Sequence, residues 1–444
     1  MFLSRLLLIL ALGQGEAFAG QEPIMRVLVK EASKTTIRAD GKSPLFVDGL
    51  GSGVKRLRAL ILTRKKGKLK IKMDRYSDSK SLFTSGDELV IRSKDPRGIW
   101  VDKRRYRGVM RVGLNKGVLQ VVNYLPIESY LVSVVGSEMP KSWPRAALKA
   151  QAIAARTYAL KQIGKAGNYD VKSTKVNQVY MGVESETKST RSAVNNTRTL
   201  VLVNGGHLID AVFHSSAGGR TEASGDVWAK QVPYLQSVAD HDQHSPWYKW
   251  KMRFEPQQLR VLFKEIGGIR NIKVQSKSKT GRVLLASIRG PLGEITLTGK
   301  ELRHRLGLRS TLVAFKMLPS QADPYEFSID TNSVNLPPIV TSQGKLLGLR
   351  PLPPLFNNGD RQTFLHFVPP LPSLPKKARK QSTLRKYATN HLALLATGFG
   401  SGHGVGMSQW GAHGLARKGA SFGEILNYYY QRVEIVPYKR LMKR

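Results

Sequence analysis

The sequence predicts an α+β fold that is β-rich and has a central buried Ala-rich helix and a substrate cleft. From Ile24 to about Val122, short β-like runs are separated by clusters of glycine, aspartate and lysine, which is typical of a strand-rich region. Seven alanines between Ala146 and Ala159 predict one helix that other backbone approaches closely on several sides. Farther along, β-like runs end in small residues and glycines, which is how a sheet delivers side chains to the floor of a cleft.

The first residues predict export from the cytoplasm. A short n-region ends at Arg5, an apolar run follows from Leu6 to Leu12, and Ala17-Phe18-Ala19 offers a small-x-small cleavage site. A membrane anchor needs about 20 apolar residues, and neither this run nor any later segment is long enough. We therefore expect residues 1–19 to be a signal peptide and the mature protein to carry no integral membrane segment.

The charge balance predicts a polyanionic partner. The chain has 71 lysines and arginines against 31 aspartates and glutamates, a formal net charge of +40. Such a field attracts polyanions and weakens with salt. Nucleic acid is the usual partner of a basic chain, but an exported protein rarely meets it, so we predict no nucleic acid. The polyanionic partners that remain possible outside the cytoplasm are anionic lipid, teichoic-type polymers and the cell wall. The stretch Lys55 to Lys72 is interpreted as a solvated strand face with edge-protecting lysines rather than a dedicated binding motif.

The absence of cysteine restricts the chemistry. It excludes thiolate metal sites, disulfide redox chemistry and a cysteine nucleophile. The segment Asp240–His244 resembles a metal cluster by content, but its composition also fits an exposed turn, and no further ligand completes a site. We predict no metal and no cofactor.

Composition divides the chain into regions. After the signal peptide, we expect an N-terminal β-rich region over residues 20–123 and a core with an appended α/β region over residues 124–318. Residues 319–390 form a Pro-rich basic insertion, and residues 391–444 complete the core. Proline at that density builds neither a sheet interior nor a helix. The insertion is either an extended arm along the wall or an inert surface excursion.

A first candidate site lies before the alanine-rich helix, which Ser142 and Pro144 are suited to begin. Lys149 and Arg156 are seven residues apart and therefore share nearly one helix face. A buried pair of cations needs a carboxylate or an anionic ligand, and Glu138 is the nearest upstream candidate.

Two interpretations of Glu138 stay open. Spacing alone favours a structural ion pair that ties a loop to the helix. The alternative is an acid–base site, in which apolar cover from Met139 or Trp143 offsets the nearby positive charges and raises the pKa of Glu138.

Two further patches combine histidine with glycine. In Ala211–Glu222, His214 is either a ligand contact, a second proton carrier or a simply hydrogen-bonded side chain. A Ser–His nucleophile is disfavoured because adjacent residues of a strand point to opposite faces. In Gly398–Gly411, His403 and Gln409 suit a sugar ligand, with Trp410 for stacking, although a glycine-rich structural turn fits as well. A phosphate-binding loop is disfavoured, because this segment lacks the lysine that such a loop requires.

Taken together and in this order, these patches resemble the SpoIID/LytB family, which is named after stage II sporulation protein D and an amidase enhancer. The matching segments are residues 124–160, 178–182, 214–222, 232–235, 302–311 and 402–430. The insertion at residues 319–390 departs from the family pattern. Some relatives bind zinc through cysteines. Because this chain has no cysteine, we expect no zinc here.

The resemblance implies a lytic transglycosylase that cleaves peptidoglycan glycan strands, preferably those lacking stem peptides. It implies that Glu138 protonates the glycosidic oxygen and then takes a proton from the sugar's 6-hydroxyl, which closes a 1,6-anhydro ring. The substrate-binding residues it implies are Lys149, Arg156 and His214. We also expect substrate contacts from Tyr180, in the matching segment 178–182, and from His403 and Gln409.

Two other functions remain open. The chain is alternatively a non-catalytic, wall-binding enhancer of an N-acetylmuramoyl-L-alanine amidase, or a basic polyanion-binding protein whose binding survives Glu138→Gln. The expected partners are peptidoglycan glycan strands and an amidase. The expected location is periplasmic or extracellular and associated with the cell wall.

Overall fold

A computed structural model describes residues 22–41, 43–51, 53–74, 81–83, 88–228, 230–320 and 392–442. Within these ranges the fold is α+β and rich in strands, as the sequence predicts. No helix of the described ranges is long and apolar enough to cross a membrane. The predicted signal peptide lies outside the described residues, and so does nearly all of the predicted insertion.

The strands are β1 (Ile24–Ala32), β2 (Lys34–Arg38), β3 (Leu45–Asp48), β4 (Lys55–Leu57), β5 (Ala59–Lys65), β6 (Lys68–Asp74), β7 (Ser81–Phe83), β8 (Glu88–Ser93), β9 (Ile99–Val101), β10 (Arg104–Tyr106), β11 (Val109–Asn115), β12 (Val118–Pro126), β13 (Val171–Lys172), β14 (Leu200–Asn204), β15 (His207–Leu208), β16 (Phe213–His214), β17 (Lys249–Phe254), β18 (Asn271–Lys277), β19 (Val283–Gly290), β20 (Gly293–Thr298), β21 (Val313–Pro319), β22 (Leu392–Phe399), β23 (Met407–Ser408) and β24 (Glu434–Pro437). The helices are α1 (Ile127–Glu138), α2 (Arg145–Gln162), α3 (Lys188–Asn195), α4 (Ser224–Val227), α5 (Pro256–Leu262), α6 (Gly299–Leu306), α7 (Gln409–Arg417) and α8 (Phe422–Tyr429).

The chain forms two compact units, Met1–Lys249 with Phe399–Arg444, and Trp250–Gly398. The first unit begins with a seven-stranded sheet in the order β13-β1-β12-β11-β8-β3-β4 and a six-stranded sheet in the order β10-β9-β2-β5-β6-β7. Alternate residues of these strands point inward, and they share one apolar core with α1 and α2.

The alanine-rich helix is α2, and it packs against α1, α3, α7 and α8. Its small buried residues, such as Ala147, Ala150 and Ala154, allow these close approaches, as predicted. The predicted start is only partly correct. Pro144 occupies the N-cap position, and no side chain caps the helix, so the capping role expected of Ser142 is wrong.

The helix α1 was not expected from the sequence. It begins after Pro126 and ends at Glu138, which therefore closes one helix rather than standing in a loop before the next. At Gly136 a Cβ atom would lie 2.0 Å from the carbonyl oxygen of Ser185, so only glycine permits this contact.

The second unit has its own apolar core, which includes Phe263, Ile269 and Leu302. It contains a three-stranded sheet in the order β17-β22-β21 and another in the order β18-β19-β20. Thr298 and Glu301 form a capping box that begins α6, and Gly307 ends this helix in the left-handed conformation.

Candidate functional site

The carboxyl group of Glu138 is held by two neutral donors. The backbone N–H of Val179 donates to Oε1 at 2.8 Å, and the side-chain amide of Gln409 donates to Oε2 at 3.1 Å. Protein atoms surround most of the group, although part of Glu138 still reaches solvent. Burial raises the pKa of Glu138, while the two hydrogen bonds and the positive charge of Lys175 oppose that rise. These opposing effects suit a carboxyl group that must both give and accept a proton.

The donor Val179 is positioned by hydrogen bonds from α1 and α2. The hydroxyl of Tyr130, on α1, donates to the side chain of Gln178 at 3.0 Å, and the Gln178 amide donates to the carbonyl of Ala155, on α2, at 3.1 Å. One residue before Val179, the chain is therefore fixed to both helices. The hydroxyl of Ser137 adds a contact by accepting from the backbone N–H of Met181 at 3.2 Å.

The second donor comes from a distant part of the chain. The short strand β23 pairs in parallel with β16, so that Met407 lies beside Phe213 and Ser408 beside His214. The hydroxyl of Ser408 accepts a hydrogen bond from the backbone N–H of Gly411 at 3.1 Å and so caps α7. Gln409 is the first residue of α7, and this pairing and cap direct its side chain to Glu138.

Next to these residues in sequence is an aromatic cluster of Trp143, Trp410 and His413. The ring centroids of Trp143 and Trp410 are 4.8 Å apart, and that of His413 lies 4.8 Å from Trp143 and 5.4 Å from Trp410. All three side chains are partly exposed. Edge-to-face aromatic packing of this kind makes a rigid surface, which suits the flat apolar face of a sugar ring.

The two predicted histidines form a second cluster. Their ring centroids are 5.3 Å apart, and the ring of Trp228 lies 5.5 Å from that of His403. Backbone groups orient both rings. His214 Nδ1 lies 3.1 Å from the carbonyl of Val405, whose N–H donates to His403 Nδ1 at 3.1 Å. The other nitrogen of His403 then donates to the carbonyl of Phe213 at 3.1 Å. His214 is almost fully buried and His403 is partly exposed.

A buried acidic pair supports the His214 loop. Asp242 accepts from the hydroxyl of Ser216 and from the backbone N–H groups of Gly218 at 2.7 Å and Gly219 at 3.0 Å. Asp240 accepts from the hydroxyl of Tyr429 at 2.6 Å. Burial and the charge of Asp242 raise the pKa of Asp240 to about 6.

The expectation of an exposed turn at Asp240–His244 is only partly correct. Gln243 and His244 are exposed in a turn, but Asp240 and Asp242 are buried and hydrogen-bonded. Nowhere in the described ranges do three metal-ligating side chains of His, Cys, Asp or Glu come together.

Two of the residues predicted to bind substrate are enclosed in the protein. Arg156 is fully buried and pairs with Glu128 through two hydrogen bonds, of 2.9 and 2.6 Å. Its carboxylate partner is thus Glu128 at the start of α1 and not Glu138, so the substrate role expected of Arg156 is corrected to a structural ion pair between α1 and α2. Tyr180 is 1 % exposed, and its hydroxyl donates to Asn123 at 2.8 Å. The substrate contact expected of Tyr180 is corrected in the same way, to a core residue.

Lys149 is partly exposed and lines a basic groove with Arg145 and Lys188. The groove has a volume of about 390 Å³, and Ser189 and Ser192 also border it. None of the residues that line it carries a carboxylate. Such a groove suits an anionic group.

The sequence did not reveal Val179, Lys175 or His413 as parts of the site. The contribution of Val179 is a backbone N–H, which no residue type encodes. Lys175 is exposed in the loop that follows β13, and its charge lowers the pKa of Glu138. His413 follows Gln409 by about one turn of α7, so the two side chains lie on the same side of that helix.

The chain is similar in sequence to known proteins. Residues 115–204, which include α1, α2 and Glu138, match the family model described as stage II sporulation protein, SpoIID. An uncharacterized protein of Brachyspira hyodysenteriae is 30% identical over 341 residues, which are 76% of this chain and 74% of that protein. Stage II sporulation protein D of Bacillus subtilis is 27% identical over 336 residues, which are 71% of this chain and 76% of that protein.

The amidase enhancer of Bacillus subtilis is 30% identical over 327 residues, which are 69% of this chain but only 40% of the enhancer. This chain itself is an α+β protein in which Glu138 stands at the end of a buried helix. The chain belongs to the SpoIID/LytB family.

Proposed function

We propose that this protein is an exported peptidoglycan lytic transglycosylase, periplasmic or extracellular and associated with the cell wall. It cuts glycan strands, preferably those lacking stem peptides, and leaves 1,6-anhydro ends. The observation that supports this most is the environment of Glu138. Its carboxyl group has a raised pKa because of burial, yet Val179 and Gln409 donate hydrogen bonds that stabilise the ionised form.

The reaction needs one carboxyl group in both protonation states. In the first half, protonated Glu138 gives its proton to the glycosidic oxygen as the bond from that oxygen to C1 breaks. In the second half, the Glu138 carboxylate takes the proton of the 6-hydroxyl, and O6 forms a bond to C1. The acid is thereby restored, and no water is consumed. Val179 and Gln409 stabilise the carboxylate between the two halves.

We assign substrate binding to three other surfaces of the same unit. The aromatic cluster of Trp143, Trp410 and His413 stacks on sugar rings. The basic groove at Lys149 receives the lactyl carboxylate, which every second sugar of a peptide-free strand carries. His214 and His403 orient the strand or its neighbouring loops.

A second candidate function is supported by the match to the amidase enhancer. In that case the chain binds the wall without cutting it and stimulates an N-acetylmuramoyl-L-alanine amidase. The same aromatic cluster and basic groove would serve as the binding surface, and Glu138 would contact substrate without transferring protons.

Mass spectrometry of peptide-free glycan incubated with the protein tests the proposal. Anhydro-ended products are expected, and Glu138→Gln should abolish them while the fold is kept, because the new amide can still accept from Val179 and pair with Gln409. Glu434→Gln, at an exposed glutamate of β24, is the matched control and should remain active. Products with reducing ends would mean hydrolysis instead. Glycan binding without any product, together with stimulation of an added amidase, would support the enhancer.

A further inference from the structure

The six-stranded sheet carries a row of cations on one face. In β2, β5 and β6 the buried residues, such as Ile37, Leu62 and Ile71, alternate with residues that point outward. The outward positions hold Lys34 and Arg38 on β2, Lys65 on β5, and Lys68, Lys70 and Lys72 on β6. We name these six residues the lysine face.

Strand register aligns these cations in rows across the sheet. Lys34 of β2 and Lys70 of β6 lie opposite the same residue of β5, Thr63. Lys72 lies opposite Ile61, which pairs on its other side with Thr36. Lys65 and Lys68 lie directly opposite each other at the end of the hairpin. The lysine face thus repeats positive charge along the strands and across them. Two threonines, Thr36 and Thr63, lie among these cations on the same side of the sheet.

Edge protection does not account for this arrangement. The order of the sheet is β10-β9-β2-β5-β6-β7, so β2, β5 and β6 are all interior strands, which need no lysines to block further pairing. Like charges directly opposite each other, as at Lys65 and Lys68, destabilise a sheet. The interpretation of Lys55 to Lys72 as a solvated face with edge-protecting lysines is therefore only partly correct. Lys55 lies on the edge strand β4, but β5 and β6 are interior strands whose lysines face solvent without protecting an edge.

Against the six cations of the lysine face, strand register places one acidic residue on the same side of β6, Asp74, opposite Ala59 at the end of the strand. In the part of the chain that the structure describes, none of its six residues forms an ion pair with a carboxylate. Arg38 instead stacks over the ring of Trp100 at 4.2 Å, with Arg105 at 5.0 Å from the same ring. A rigid aromatic support thus holds one of the guanidinium groups in place.

We propose that the lysine face is a docking surface for a linear polymer that carries phosphate groups. Lysine ammonium groups, an arginine fork and threonine hydroxyls are the side-chain groups that contact phosphate oxygens most often. Successive outward residues of a strand are about 6.7 Å apart and neighbouring strands about 4.8 Å apart, so an extended chain can cross several cations at once. This surface is separate from the Glu138 site and does not depend on catalysis.

A polymer fits the lysine face better than a bilayer does. Membrane-binding surfaces combine basic residues with apolar side chains that enter the lipid. None of the large apolar side chains that are exposed in the described ranges lies on β2, β5 or β6. The face offers charge and hydroxyls without such anchors, which suits a ligand that remains in water.

Binding of the full chain to long-chain inorganic polyphosphate tests the proposal. The triple variant K34Q/K70Q/K72Q removes three charges from the face, and K273Q/K277Q/K300Q removes three exposed lysines from the second unit as a matched control. At about 50 mM salt we expect the face variant to bind about tenfold more weakly. The slope of log Kd against log salt should decrease by about two for the face variant, because each of the three lost phosphate contacts contributes about 0.7 to that slope. The control variant should match the unaltered protein both in affinity and in the salt dependence of Kd.

Equal losses in the two variants would overturn the proposal, because net charge alone would then explain binding. The proposal would also fail if the face variant lost binding to phosphatidylglycerol vesicles but kept its affinity for polyphosphate. Cleavage or binding of short peptide-free glycan should be unchanged in the face variant. Failure of the proposed catalytic function would leave the polyphosphate result unaffected.

Discussion

The side-chain amide of Gln409 donates a 3.1 Å hydrogen bond to the carboxylate of Glu138, 271 residues earlier in the chain. This bond joins the end of α1 to the beginning of α7, two helices that the sequence places in separate patches. Because a donor to the ionised form lowers a carboxyl pKa, Gln409 acts against the burial that raises the pKa of Glu138. Gln409 is therefore positioned to set the protonation of the proposed acid.

Replacing Gln409 should change the pH dependence of cleavage. Gln409→Ala removes a donor to the carboxylate, so the pKa of Glu138 should rise further. Since the first half of the reaction needs the protonated acid, activity falls as pH rises through this pKa, and the variant's decline should move to higher pH. Profiles of kcat/KM against pH for the variant and for Gln257→Ala, an exposed control, measure this. A decline at the same pH in both would show that Gln409 does not act on Glu138.

The ion pair of Arg156 and Glu128 should matter for stability. Arg156→Met leaves the Glu128 carboxylate buried without its guanidinium partner, which should lower the free energy of unfolding by about 3–5 kcal/mol. The double variant Arg156→Met, Glu128→Leu removes both charges and should recover most of that loss. Urea denaturation of both single variants and the double variant gives the coupling energy. Equal stability of the Arg156→Met variant and the double variant would contradict the assignment.

The choice between Glu128 and Glu138 as the partner of Arg156 shows what the sequence lacked. The resemblance, the α+β fold and the buried helix α2 were correctly inferred from residue patterns. The helix α1 was missed because ten of its residues are buried, so its apolar side chains surround the helix and leave no amphipathic stripe. Without α1, spacing along the chain points to Glu138, the nearest upstream carboxylate, as the partner. Contacts that depend on how two helices pack, such as Arg156 with Glu128, cannot be read from spacing along one of them.

Lys149 should affect activity on charged substrate without affecting stability. A charge-assisted contact to a carboxylate contributes about 1.5–3 kcal/mol, so Lys149→Ala should lower kcat/KM on peptide-free glycan by roughly tenfold to hundredfold. The loss on a neutral chitin-type oligomer should be much smaller. Lys300→Ala, at an exposed lysine of the second unit, is the control. If both substrates suffer equally, the groove does not bind the lactyl carboxylate.

Asp240 should make stability fall as pH rises through weakly acidic values. Its folded-state pKa of about 6 lies above the ordinary value of 3.8, because of burial and the charge of Asp242. The folded state therefore binds more protons than the unfolded state between these values. Stability from this group is fully present below about pH 4 and is lost by about pH 6, a change of at most about 3 kcal/mol.

Urea denaturation between pH 4 and pH 7 measures this effect when the unaltered protein is compared with Asp240→Asn. The variant cannot ionise at this position, so the difference between the two curves isolates Asp240 from other titrating groups. Curves that remain parallel over the whole range would mean that Asp240 has the same pKa in the folded and unfolded states.

A pair of glycine substitutions should have opposite effects on stability. At Gly411, in α7, an added Cβ would lie 1.9 Å from Asp240 Oδ1 and 2.0 Å from the hydroxyl of Tyr429. Both atoms belong to buried side chains that are hydrogen-bonded to each other, so α7 itself must shift. Gly411→Ala should therefore destabilise the protein by about 1–3 kcal/mol. Because Gln409 lies two residues earlier on α7, cleavage should fall as well.

Gly423, in α8, is the matched control. A Cβ there would meet nothing closer than 3.9 Å. Alanine is a better helix former than glycine, so Gly423→Ala should stabilise the protein by about 0.5–1 kcal/mol and leave cleavage unchanged. Thermal denaturation and glycan cleavage measured on both variants test this. Loss of stability in Gly411→Ala with full retention of activity would show that the position of α7 does not control the Gln409 contact to Glu138.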